Sequence, residues 1–204
     1  MSEQQSNSTR LVLASGSKSR AALMRGAGIR FEQITSHVDE DHLKATMREA
    51  NATTMEQAEA LAELKARKVS LKETGIVFGA DQMLDLEGAQ FDKPKSVGEA
   101  RENLLEMRGK THTLETALVA CQNGAPIWRT LTRPQLKMRN FTEDFLDRYL
   151  GQEGDDVMTT VGAYKLEGRG VQLFERIEGD YFSILGLPLI QMLDWLRDRE
   201  ILVR

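Results

Sequence analysis

The chain has 204 residues, of which 41% are hydrophobic and 28% charged, and its formal net charge is −4. That length and apolar content suit one packed domain, in one or two lobes, and set aside a disordered chain. The acidic balance argues against non-specific binding to nucleic acid or anionic lipid, yet leaves room for a small anionic ligand met by a few local cations.

In chain order, residues 1–10 are Ser/Gln-rich without an apolar centre, and are expected to be a disordered leader, not a secretory signal. Residues 11–204 then read as a single domain. Leu11–Ala14 predicts a short buried strand, followed at once by a helix over Ser17–Gly28 that Gly28 closes. "IRFEQI" alternates as a strand does, and Ser36–Thr54 reads as a loop containing a helical piece. Met55–Lys72 is helical, with Ala58, Leu61, Ala62, Ala66 and Val69 facing inward. "GIVFGA" is a continuous apolar run, as in a strand covered on both faces, and a tight turn follows near Glu87-Gly88. Ser96 starts a helix through Met107, with Glu99 placed for a capping box. From Thr111 to Arg139 two long strands are expected, joined by an Asn123-Gly124 hairpin turn. Thr142 opens a helix to about Leu150, Val171–Ile177 is a strand, and Pro188 opens a last helix, Leu189–Arg199. Helices and strands that alternate early and give way to a hairpin predict an α/β fold with a long mixed sheet and flanking helices.

The single cysteine, Cys121, forbids an internal disulfide and suits a reducing, cytoplasmic setting. His37, His42 and His112 show no metal-ligand spacing and read as structural. No apolar run approaches the ~20 residues of a spanning helix, so no membrane association is expected. Trp128, Trp195, Met83, Met107 and Met192 read as packing residues.

Four stretches carry candidate chemistry. Ser15-Gly16-Ser17-Lys18-Ser19-Arg20 lies between a strand and a helix, where unpaired N–H groups and partial positive charge favour a phosphate. The alternative is a plain N-cap serine with solvent-facing cations. Lys65 falls in the middle of the apolar stripe formed by Ala58, Leu61, Ala62 and Val69. It either meets something anionic or packs its stem and snorkels. Asp81 ends the run "GIVFGA", where α/β sheets bind ligands, and suits Mg²⁺ coordination, proton acceptance or a simple turn. "GAYKLEGRG" crowds glycines around Tyr164, Lys165 and Glu167, as in a backbone pressed to a ligand or in a bulge. Asp39-Glu40 is a carboxylate pair of the sort hard metals use, though such pairs are also common on ordinary loops, and Pro94 stiffens the loop that aims Lys93.

Taken in order, "LVLASGSKSR", "FEQITSHVDE", "LAELKA", "GADQMLDLEG…DKPK", "RGKTHTLETALVA", "VGAYKLEGRGVQLFERIEGDY" and "GLPL" resemble the Maf family of nucleotide pyrophosphatases. The resemblance implies a fold like that of inosine-triphosphate pyrophosphatases, with two lobes around a cleft. It implies the reaction NTP + H2O → NMP + pyrophosphate in the cytoplasm, supported by Mg²⁺ or by Mn²⁺ or Co²⁺, and a homodimer. By motif, Ser15, Ser17 and Arg20 match the family's phosphate loop, and Gly16 and Lys18 lie within it as further substrate-binding candidates. Glu40 matches its metal-associated acid, Lys65 its helix lysine, Asp81 its general base or metal ligand, and Lys93 the lysine of its Lys-Pro motif. One departure stands out: the family loop reads S-x-S-P-R-R, whereas here Lys18 and Ser19 replace Pro and Arg. A stiffening ring and a planar guanidinium are lost, which implies reduced activity or an altered base preference. Gln82 and Glu167 resemble the branch that acts on 7-methyl-GTP, while Ser19 matches neither branch; Lys165 lies in the same glycine-rich block. A dTTP/UTP pyrophosphatase and a weakly active, nucleotide-binding regulator of cell division are the alternatives.

Overall fold

A computed structural model describes residues 9–203. Two long antiparallel strands run through the whole domain: β3, Ile76–Leu86, and β5, Thr111–Gln122, registered from Val77↔Cys121 to Asp85↔Thr113. The strand therefore continues well beyond Ala80, where the apolar run stops. It ends where Glu87 and Gly88, with φ of 55° and 90°, make the tight turn into β4, Ala89–Phe91. On the edge of β3 away from β5 lies β1, Leu11–Leu13, parallel to β3 and to the outermost strand β2, Glu32–Gln33. Only these two residues of "IRFEQI" form ladder structure.

Across β5 the expected second long strand is broken. The hairpin turn forms at Asn123-Gly124, with φ of 52° and 77°, but β6, Ala125–Thr132, stops before Arg133-Pro134 and β7, Gln135–Met138, begins after it. Proline has no N–H to give to a ladder, which is why the break falls there. Both pieces pair with β5, and β7 also pairs with β8, Phe174–Glu178. The expected strand at Val171 begins instead with a 3₁₀ turn, Arg169–Leu173. The sheet is mixed, in the order β2-β1-β3-β5-β7-β8, with β4 added to β3 and β6 to β5.

The helices sort to the two faces by their apolar stripes. α3, Thr54–Ser70, covers one face with Ala58, Leu61, Ala62 and Ala66 against Met83, Ala117 and Val119. Its N-terminus holds a full capping box between Thr53 and Glu56, a signal the sequence reading passed over. α1, Lys18–Gly26, and α7, Leu189–Asp198, which the single-turn α6, Tyr181–Ile184, precedes, cover the other face through Met24, Met192 and Leu196 on Phe78 and Leu118. Ser17 caps α1, and Gly28, at φ 74°, closes it in a Schellman turn with Ile29 N–H on Met24 O at 3.0 Å.

A second core lies further along β3 and β5. There α4, Val97–Met107, and α5, Glu143–Glu153, pack Leu104, Met107, Leu146 and Tyr149 against Leu84, Leu114 and Leu136. Ser96 caps α4, but Glu99 accepts from Lys95 N–H at 2.8 Å, so that end is only half of a capping box. Of the predicted leader, residues 1–8 lie outside the described residues. Arg10, at its end, is tied to Glu32 at 2.6 Å and Glu73 at 2.9 Å. Among the described residues no helix is long and apolar enough to cross a membrane.

The gap between the two cores is a consequence of strand lengths. β1 leaves the β3 edge at Ala14, whose N–H bonds Phe78 O at 2.7 Å, and β4 joins the same edge only at Leu84. From Gly79 to Met83 that edge carries no strand.

Candidate active site

Asp81 and Gln82 sit in this gap and, as neighbours on a strand, project to opposite faces of the sheet. Asp81 meets α3. Gly79 lets that helix come close: a Cβ there would lie 2.2 Å from Ala62 O and 2.5 Å from Ala66 N. Between those two helix residues stands Lys65. Its Nζ donates to Asp81 Oδ1 at 2.7 Å and pairs with Glu40 Oε1 at 2.9 Å. Lys65 and Asp81 are each 6% exposed. The lysine in the apolar stripe thus meets anions and does not snorkel.

Glu40 is the first residue of α2, Glu40–Glu49, and Asp39 turns out to cap that helix through His42 N–H at 3.0 Å. The pair Asp39-Glu40 therefore divides its work, one residue structural and one facing Lys65. Enclosure by protein acts to raise the Glu40 pKa, but Lys65, Lys44 and Lys93 outweigh it and hold the carboxyl below its ordinary value. Lys93 follows Asp92, which binds Lys44 at 3.0 Å and also Arg48, both on α2. This tie, which the sequence reading missed, fixes the Lys93 loop to the helix that carries Glu40. Desolvation, with the positive charges of Arg20 and Lys65, pulls the Lys93 amine below the usual lysine range.

The loop after β1 approaches from the other lip. Ser15 Oγ accepts from Ser17 N–H at 3.2 Å and from Arg20 Nη1 at 3.3 Å; Ser17 Oγ accepts from Arg20 N–H at 3.3 Å. Ser17 is thus an N-cap, and Arg20 is not solvent-facing. Its Nε donates to Gly186 O at 2.7 Å, and its charge is felt by Asp81 and Glu40. Desolvation lowers the Arg20 pKa against the pull of those carboxylates. Gln33, on β2, donates to Ser15 O at 2.8 Å and holds the loop from behind. A Cβ on Gly16 would touch only the Thr35 side chain, at 3.6 Å, so its backbone is open to a ligand. Lys18 is exposed and is not brought into the cluster.

On the opposite face, Gln82 lines a cleft with Ser19, Tyr164, Lys165 and Glu167. The Gln82 amide NH₂ points at Thr116 Oγ1 (2.8 Å), Ser183 O (2.9 Å) and Ile184 O (3.2 Å). Carbonyls only accept, so the amide's orientation is fixed and its oxygen is the end left for a ligand. Thr116, buried on β5, completes this clamp by donating its own hydroxyl to Ser183 O at 3.1 Å. Lys165 lines the cleft while pairing with Asp156 at 3.0 Å, and Glu167 is exposed. Twelve predicted site residues thus divide into a charged group (Arg20, Glu40, Lys65, Asp81, Lys93), the loop Ser15–Ser17 beside it, a cleft group (Gln82, Lys165, Glu167), and the outlying Lys18.

The family model described as Maf-like protein matches residues 10–199. The chain belongs to the Maf family. It is 54% identical over 94% of its length, and 97% of the relative's, to a nucleoside triphosphate pyrophosphatase of Hyphomonas neptunium. It is 44% identical, over 92% of this chain and 95% of the relative, to a 7-methyl-GTP pyrophosphatase of Brucella suis. A solved structure of a HAM1 protein from Coxiella burnetii aligns with a TM-score of 0.42 at 15% identity, over 65% of this chain and 74% of that one.

Among the described residues no group of three or more His, Cys, Asp or Glu side chains converges on one point. Two carboxylates do: Glu40 and Asp81 lie 2.9 and 2.7 Å from one ammonium nitrogen. That donor set fits a magnesium-type ion, which takes one or two carboxylates and completes its shell with water and substrate phosphates.

Proposed function

We propose that this Maf protein is a nucleoside triphosphate pyrophosphatase, converting NTP and water to NMP and pyrophosphate, with 7-methyl-GTP as its preferred substrate. The observation that carries the reading is Lys65 bridging Glu40 and Asp81 in the gap of the β3 edge, with Arg20 and Lys93 within electrostatic reach. Water attacks the α-phosphorus, the α–β bridging P–O bond breaks, and pyrophosphate leaves with the bridging oxygen. Negative charge grows on that oxygen and on the equatorial oxygens, and Arg20, Lys65 and Lys93 are the cations that stabilise it by position. Asp81, through the oxygen not bonded to Lys65, orients the attacking water and takes its proton. Glu40 and Asp81 are the residues that would hold Mg²⁺, Mn²⁺ or Co²⁺, and the ion would neutralise phosphate charge.

The preference for a guanine-type base over thymine or uracil follows from hydrogen-bond polarity, and the 7-methyl assignment rests on the likeness of Gln82 and Glu167 to the 7-methyl-GTP branch. Glu167 only accepts, and the fixed Gln82 amide also offers an acceptor. Guanine presents N1–H and N2–H₂ donors; thymine and uracil present two carbonyls and one N–H. An acceptor facing an acceptor is disfavoured, because neither can donate to the other. Ser19, in place of the family arginine, lines the same cleft and leaves it room. A pyrophosphate-release screen over 7-methyl-GTP, GTP, dTTP and UTP tests this, with fastest release expected from 7-methyl-GTP. Fastest turnover of dTTP or UTP overturns the base assignment. Nucleotide binding with no release in any divalent ion overturns the enzymatic one in favour of a regulator. The homodimer is part of the same proposal, and sedimentation at micromolar concentration checks it.

A further inference from the structure

His112 and Tyr164 form a buried pair that the reaction above does not use. His112, near the start of β5, is 1% exposed, and its Nε2 lies 2.7 Å from the Tyr164 hydroxyl. Its Nδ1 is buried and has no hydrogen-bond partner among the described residues. Both rings pack against Phe174, at centroid distances of 6.0 and 4.8 Å. A pair of apolar side chains would fill this space without stranding a ring nitrogen, so the polar pair is a poor way to build a core. Burial pushes the His112 pKa down to about 4, so the contact joins two neutral groups near pH 7.

What distinguishes the place is that Tyr164 lines the cleft with Gln82, Lys165 and Glu167. The backbone around it is clamped at several points. Thr160 Oγ1 accepts from Tyr164 N–H at 3.1 Å and donates to Tyr164 O at 2.9 Å. Tyr149 Oη donates to Ala163 O at 3.1 Å. A Cβ on Gly162 would lie 2.2 Å from the Tyr164 ring, and one on Gly170 would lie 2.5 Å from Lys165 O. These contacts fix the main chain of the segment, and the His112 bond fixes the far end of the Tyr164 side chain.

We infer that His112 is a positioning residue for base recognition: by holding the Tyr164 hydroxyl it sets the wall that carries Lys165 and Glu167 at a fixed distance from Gln82. The inference rests on reading this cleft as the seat of the nucleotide base.

The test uses the full chain and three variants, Tyr164→Phe, His112→Leu and His112→Gln. Readouts are kcat and KM for 7-methyl-GTP, inhibition by 7-methyl-GMP and by pyrophosphate, and thermal melting. Tyr164→Phe keeps the ring and its packing and loses only the hydroxyl. For it and for His112→Leu, KM is expected to rise on the order of tenfold with kcat within about twofold, and 7-methyl-GMP to inhibit correspondingly less well. Inhibition by pyrophosphate, which carries no base, is expected to stay unchanged. His112→Gln, whose amide still reaches the hydroxyl, is expected to recover most of the lost affinity. The inference is overturned if KM does not move, if both inhibitors weaken together, if His112→Gln is as impaired as His112→Leu, or if only the melting temperature falls. Wild-type protein that releases no pyrophosphate from any nucleotide overturns the functional reading itself, and the inference with it.

Discussion

Lys65 carries more of the site than any other side chain, because it neutralises two carboxylates at once in a nearly dry place. Asp81→Asn keeps the shape of its side chain and is expected to leave a folded protein, by circular dichroism, with no measurable pyrophosphate release. Wild-type-like turnover would remove Asp81 from the mechanism. Lys93 offers a pH test. Its amine is held below the ordinary value of 10.5, so its charge is lost earlier than an ordinary lysine's as pH rises. The alkaline limb of kcat/KM is therefore expected below pH 10.5, and Lys93→Arg, which stays charged, should move it upward. His112 gives a stability test of opposite direction. Its pKa falls from 6.5 to about 4 on folding, so between those values the unfolded chain takes a proton that the native imidazole refuses. Stability is expected to fall as pH drops through that window, by roughly 3 kcal/mol at most, and to do so less in His112→Leu, as urea titrations at pH 7 and pH 4 would measure. Of these residues, Lys65 and Asp81 were legible in sequence, since a charge inside an apolar stripe or at the end of an apolar run breaks a pattern. His112 was not, because nothing local marks a histidine in a strand as half of a pair whose partner is Tyr164.

At the scale of elements, the contact of α3 with β3 decides the site. Gly79 is the residue that permits it, since a methyl group would press on Ala62 O and Ala66 N, the turn that carries Lys65. Gly79→Ala is expected to destabilise by about 1–3 kcal/mol, or more if α3 cannot shift. It should also lower turnover beyond the loss of folded protein, because moving α3 opens the Lys65–Asp81 pair. The capping box at the start of the same helix is a control: Thr53→Ala should cost about 1 kcal/mol by thermal melting and leave turnover below the melting range unchanged. Sequence pattern located α1, α3, α4, α5 and α7 because periodicity and caps are local signals. It erred where a single residue overrode a run, as Pro134 does in dividing β6 from β7.

For the whole molecule, two cores share β3 and β5, and the cleft lies where the flanking strands leave the β3 edge uncovered. A ligand that bridges this gap binds only the folded chain. Saturation with 7-methyl-GMP in Mg²⁺, at about 100 times Kd, is expected to add ~2.7 kcal/mol, or roughly 5–10 °C in Tm. A chelator such as EDTA should abolish both that shift and turnover, and added Mg²⁺, Mn²⁺ or Co²⁺ should restore them. Turnover persisting in EDTA would overturn the metal proposal.

By itself the sequence determined the alternation of helices and strands, the turns at Glu87-Gly88 and Asn123-Gly124, and the family blocks that singled out Arg20, Glu40, Lys65, Asp81 and Lys93. Only the tertiary structure decided what each of those groups faces. Arg20 is aimed by a carbonyl 166 residues away, and the Gln82 amide is turned by carbonyls about a hundred residues on. Periodicity and caps encode forces between near neighbours along the chain, whereas these contacts depend on strand register and on where β1 and β4 stop, which the packing of the two cores sets.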